Sequence, residues 1–104
     1  MPDATIYQAI PMLTEPFVQA GIYSTPEQAL KRIVLDYVER QISWAEVEMQ
    51  RLERKHKQSF SEWSGALSGK ASIADEDDWM EWESLQDMAK SWKQLKTAIE
   101  KSDV

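Results

Sequence analysis

The residues best suited to chemistry are seven acids set between Asp75 and Asp87 with no base among them, interleaved with Trp79 and Trp82. Carboxylates at that density repel one another, and a cationic partner relieves the repulsion. Tryptophan is a favoured interface anchor, because one large rigid side chain fills a pocket and keeps water from nearby charge pairs. The run from Asp75 to Glu83 therefore reads as an anionic surface, with Asp77, Asp78, Trp79, Glu81, Trp82 and Glu83 as partner-binding positions. The plainer reading is a capped acidic helix start whose tryptophans fold onto the chain's own core, since a helix with an apolar stripe must bury it somewhere. Both readings stay open at this level.

Arg51, Arg54, Lys55, His56 and Lys57 form the one basic cluster. It lacks aromatic interleaving and contains Glu53, so the solvated C-terminal end of a helix explains it better than a nucleic-acid patch. It can also receive the acidic segment of its own chain or of a dimer mate, masking the anionic surface until a partner competes. Glu53 and His56 have the Glu-x-x-His spacing of di-iron bundles, but those sites need a second such pair and further inward carboxylates. His56 is the single histidine, and no metal or other cofactor is expected. A Ser-His-Asp site needs a nucleophile on a strained turn beside the histidine, and three glycines make no phosphate loop. The chain reads as a binder and not an enzyme.

These residues hang on one long helix, from Thr25 to about Lys57. Thr25, Pro26 and Gln28 have the cap, first-position and third-position chemistry of a helix start. Apolar residues then recur at Leu30, Val34, Tyr37 with Val38, Ile42, Ala45, Met49 and Leu52, one stripe at three-and-four spacing. From Ile42 the stripe keeps a seven-residue beat, which makes Ile42, Ala45, Met49, Leu52 and His56 a dimer seam. Such a helix spans about 45 Å, longer than a compact domain of this size is wide, and so needs a partner.

Before it, residues 3 to 10 alternate in a way compatible with a short strand and equally with an irregular lead-in. A short helix is expected within Pro11 to Ala20, burying Met12, Leu13, Phe17 and Ala20 and ended by Gly21, with Ile22 packing back as a staple. After it, Ser59 and Glu62 make a capping box for a short helix carrying Phe60, Trp63 and Leu67, although continuation without a bend is nearly as favourable. The small residues from Ser64 to Ser72 read as a flexible linker. A last helix is capped by Asp77 or Asp78, with Glu81 completing a box, and Trp82, Leu85, Met88, Ala89, Trp92, Leu95 and Ile99 line its apolar face.

The expected fold is all-α: a helical hairpin with one long central helix, a Gly/Ser linker and a C-terminal acidic helix. The divisions fall at 1–63 for a helical dimerisation region, 64–74 for the linker and 75–104 for the acidic Trp-rich helix. The 104 residues and 42% hydrophobic content allow one modest core. There is no cysteine, hence neither disulfide nor thiolate metal site. No apolar run is long enough to span a membrane, and no Lys or Arg precedes Lys31 to make a secretory signal, so a cytoplasmic protein is expected. The net charge of −6 sits at the two ends, with only the middle of the chain basic. A DNA-binding surface needs clustered cations, which only that middle could supply.

Gly21-Ile22-Tyr23-Ser24-Thr25-Pro26-Glu27-Gln28-Ala29-Leu30 resembles the helix-turn-helix junction of ribbon-helix-helix antitoxins. The long charged helix, leading through Ser59-Phe60-Ser61-Glu62-Trp63 to the acidic Trp-rich segment, looks like small prokaryotic antitoxins of type II toxin-antitoxin pairs. That resemblance implies a dimerising N-terminal part that often binds operator DNA, and an acidic tail that blocks a basic toxin through Trp79, Glu81, Trp82 and Glu83. One departure is plain. The ribbon of such antitoxins carries basic or amide side chains, whereas Asp3 to Ile10 offers Thr5 and Gln8 and no cation, so DNA binding by that route is in doubt. The alternatives to an antitoxin are a ribbon-helix-helix transcriptional repressor and a structural or adaptor protein.

Overall fold

A computed structural model describes the backbone of residues 4–67 and 69–103, with side chains from Ala9 onward. The chain forms four helices: α1 (Ala4–Gln19), α2 (Pro26–His56), α3 (Phe60–Ala66) and α4 (Ile73–Glu100). Among the described residues there is no strand, so the fold is all-α around one long central helix. No described helix is long and apolar enough to cross a membrane.

The start of α2 follows its sequence signals. Thr25 is extended, Pro26 opens the helix, and the Thr25 hydroxyl accepts the Gln28 amide at 3.1 Å. Gly21 ends the turn after α1 at a left-handed φ of 75°. At the far end Lys57 takes φ 56°, the left-handed stop usually given to glycine. The chain therefore does bend near Gln58. It restarts at Ser59, whose hydroxyl accepts the Glu62 amide at 3.2 Å and donates to the Glu62 carboxylate at 3.0 Å.

Elsewhere the structure departs from its sequence signals. Residues 4–10 of the alternating fragment are the first turns of α1, not a strand; Asp3 and the side chains of Thr5 and Gln8 lie outside the described residues. Pro11 and Pro16 sit inside α1 instead of marking its start. Its expected buried side does not pack either: Met12 and Leu13 are largely exposed, and the buried member is Thr14, whose hydroxyl donates to the Ile10 carbonyl at 2.9 Å. Finally, α4 begins about a turn before Asp77 and Asp78. Ser72 accepts the Asp75 amide at 3.1 Å while Asp75 accepts the Ser72 amide at 3.3 Å, a reciprocal box. With α3 running to Ala66 and α4 starting at Ile73, the small-residue stretch is helical at both ends and shorter than its composition suggests.

α4 runs antiparallel along α2. Lys31 near the start of α2 donates to the carbonyls of Glu100 and Ser102, and Arg51 near its end meets Glu81 at 2.8 Å. A cation on the terminal carbonyls of α4 also suits that helix's negative dipole end. Between these ties, Lys93 bonds Glu46 at 3.2 Å and Lys96 approaches Glu39 at 3.8 Å. The core lies at the α3 end, where Ala45 and Leu52 of α2, Trp63 of α3 and Trp82, Leu85 and Ala89 of α4 form one buried cluster. α1 packs chiefly against α2, and none of its described residues belongs to that cluster.

Two substitutions separate these features. Trp82→Ala removes the largest core side chain of α4 and lowers unfolding free energy by about 3–5 kcal/mol in a urea titration. Ser72→Ala costs about 1 kcal/mol as a lost helix cap, whereas Asp77→Ala, with no cap to lose, changes the midpoint by far less. Equal effects at Ser72 and Asp77 would place the start of α4 wrongly.

Candidate functional site

The acidic Trp-rich segment is the first three turns of α4, and its side chains divide by the direction in which the helix sends them. Toward the core points Trp82, 3% exposed. Its ring lies 5.8 Å from that of Trp63 and 5.4 Å from that of Phe60. Trp79 is half-buried one turn earlier. It faces Phe60 with ring centroids 5.9 Å apart, and its indole N–H donates to the Ser64 hydroxyl at 2.8 Å. A buried indole seldom leaves that donor unmet. The arrangement puts Trp82 in the chain's own interior, where no partner can reach it without unfolding the cluster.

Toward α2 point Asp78 and Glu81, and the basic cluster receives them. Asp78 accepts from Lys55 at 2.6 Å and from His56 Nε2 at 2.9 Å, and Glu81 pairs with Arg51, which also holds Glu48 at 2.9 Å. The Lys55 ammonium, with help from His56, holds the Asp78 carboxyl below the usual carboxylate range against the opposing effect of its own burial. His56 is stacked on Trp63, ring centroids 3.7 Å apart, while Glu53 is exposed, so the Glu-x-x-His pair is split between a core contact and solvent. Among the described residues no group of acids and histidine is gathered as a metal would need.

The expected dimer seam is also occupied within the chain. Ala45 and Leu52 are fully buried in the cluster, Met49 packs against it, and Ile42 and His56 are half-covered on the same face of α2. The seven-residue beat is real, but the helix it serves is α4 of the same chain.

Away from α2 point Asp77 and Glu83, both exposed, together with residues the sequence reading had not singled out. Glu76, Met80, Glu83 and Asp87 stand at i, i+4, i+7 and i+11, a single stripe along the outer side of α4. That spacing was the available signal, hidden because tryptophan drew attention to the inward residues. Met80 is 61% exposed in the middle of the stripe. Among the described residues none forms an ion pair with Glu76, Asp77, Glu83 or Asp87. Beside the stripe, between α3 and α4, an open groove of about 480 Å³ is lined by Ser64, Leu67, Ala71, Glu76, Trp79 and Met80. It is an apolar trough with one carboxylate at its lip, a shape that accepts the methylene stem and cationic head of a lysine or arginine.

The Asp78 contacts give a pH signature. A carboxyl whose value falls on folding lends stability above its unfolded value of about 3.9, and that stability is lost as pH drops through the folded value. The parent chain therefore resists denaturant better than Asp78→Asn at neutral pH, and the difference closes as pH falls below about 4. A difference that persists unchanged into strong acid would show that the carboxylate charge is not what holds α2 and α4 together there. No protein-family model matches the chain, and no curated protein or solved structure matches it.

Proposed function

We propose that this chain is a cytoplasmic partner-binding protein and not an enzyme, most concretely an antitoxin-like protein that neutralises a basic toxin with the outer face of α4. The observation that carries the reading is the unpaired acidic stripe of Glu76, Glu83 and Asp87 around exposed Met80, running beside the groove walled by Trp79. Like charges along one helix face raise the cost of leaving that face in water alone, and a cationic surface lowers it. Met80 and the exposed side of Trp79 supply apolar area at the centre, where an interface excludes water, while the carboxylates form a rim that steers a basic partner inward. Asp78, Glu81 and Trp82 serve this surface indirectly, by fixing α4 against α2 and α3 so that the outer face is presented as one rigid element.

The ribbon-helix-helix repressor is the weaker reading, because the residues that would make its ribbon begin a helix. An adaptor protein would use the same acidic face on a basic partner that is not toxic, and the two differ in what that partner does alone.

The experiment uses the full chain as bait in the source cell, parallel with the triple variant Glu76→Lys, Glu83→Lys, Asp87→Lys. The parent chain captures a basic protein, and charge reversal weakens the complex by at least about tenfold, since it sets like charges across the rim. If expression of the captured protein alone arrests growth and co-expression of the parent chain relieves the arrest, the antitoxin reading holds. Relief of arrest by the triple variant as well would overturn the assignment of the acidic face.

A further inference from the structure

α2 has more than one sticky side. The face toward α4 is spent on the core, yet a second series, Leu30, Ile33, Tyr37, Trp44 and Val47, recurs at the alternating three-and-four spacing of a seven-residue repeat and stays in solvent. Only Arg40 interrupts it, tied at 3.0 Å to Asp36 one turn earlier. Tyr37, Trp44 and Val47 are each more than half exposed. Tyr37 meets Trp92 edge-on with ring centroids 5.8 Å apart, so the open face continues onto α4 through Met88 and Leu95. Met12 and Leu13 of α1 do not cover it, being themselves among the most exposed apolar side chains.

The chain is also more extended than a compact monomer of its mass. A compact monomer of 12.1 kDa has an accessible surface of about 6,000 Å², and this chain has 7652 Å². Its radius of gyration is 19.9 Å, where a compact domain of this length has about 13 Å. The excess, about 1,600 Å², is spread over the whole elongated chain, polar and apolar surface together, and exceeds the roughly 800 Å² that each partner gives to a standard interface.

Charge decides which occupant fits. The outer face of α4 carries one sign and calls for an opposite one. The open face of α2 is edged by both signs, Arg32 and Arg40 beside Asp36 and Glu39, already joined in the pairs Arg40–Asp36 and Arg32–Glu39. A rim whose charges are already balanced in pairs suits a second copy with the same balanced rim and offers nothing to a strongly basic or acidic guest. We propose that a second copy of this chain docks on this open face of α2, with Tyr37 and Trp44 as anchors. The two acidic faces of α4 then remain outside the joint, so the pairing is independent of the binding proposed above.

Sedimentation equilibrium of the full chain at micromolar concentration gives a mass near twice 12.1 kDa. The double variant Tyr37→Glu, Trp44→Glu gives the single-chain mass with helical circular dichroism retained, since both side chains are exposed in the single chain. Should the double variant lose its helix signal, Val47→Glu on the same face decides in its place. A parent chain that stays monomeric overturns the proposal and leaves the face to a different occupant. A dimer that survives these substitutions, or that is broken only by Met12→Glu with Leu13→Glu on α1, overturns it equally.

Discussion

Trp82 is the side chain through which three helices become one structure. Its indole lies against Trp63 and Phe60 from the α3 segment, in the cluster that also holds Leu52 and Ala45 of α2. Without α3 the α2/α4 hairpin would have only one apolar seam and no closed end, and a two-helix pair of this length buries too little to be stable by itself. The bend at Lys57 exists to bring Trp63 back over that end. A lysine in the left-handed region carries strain on the order of 1 kcal/mol, and the aromatic cluster is what offsets it.

Electrostatics follows from the same packing. Once Trp82 faces inward, the 3.6-residue turn sends Asp78 and Glu81 toward the basic end of α2 and sends Glu76, Glu83 and Asp87 outward. The crowded acidic run therefore becomes two populations with different jobs. One closes the helix pair through Lys55, His56 and Arg51. The other stays in solvent as a surface of one sign.

Much of this was legible in the residue order, and the failures share a cause. Thr25-Pro26, Gly21 and the Ser59 cap are local chemistry, complete within a few residues, and the structure uses each of them, although Glu62 returns its carboxylate to the Ser59 hydroxyl and not to its amide as a full box would. The reciprocal box at the start of α4 is local too, but Ser72/Asp75 and Asp78/Glu81 both satisfy its pattern, and only the tertiary demand for Asp78 at Lys55 and His56 selects the earlier start. The proline positions misled in α1 because a proline inside a helix is costly but not forbidden. The seam at Ile42, Ala45, Met49, Leu52 and His56 was correct as a stripe and incorrect as to its neighbour, since periodicity states that a face is covered and cannot say by which helix. For the binding surface, tryptophan type pointed at the core, whereas the spacing of Glu76, Met80, Glu83 and Asp87 pointed at solvent.

The placement of the core at one end makes the molecule mechanically lopsided. Residues around Leu52, Trp63 and Leu85 can open only if the whole cluster comes apart, while α1 and the first half of α2 are held by the smaller buried set Thr14, Ala29, Leu35 and Val38, with no aromatic ring among them. Amide hydrogens should consequently exchange with solvent on a gradient, slowest beside the indoles and fastest along α1, so that the chain behaves as a firm head carrying a loosely tethered arm.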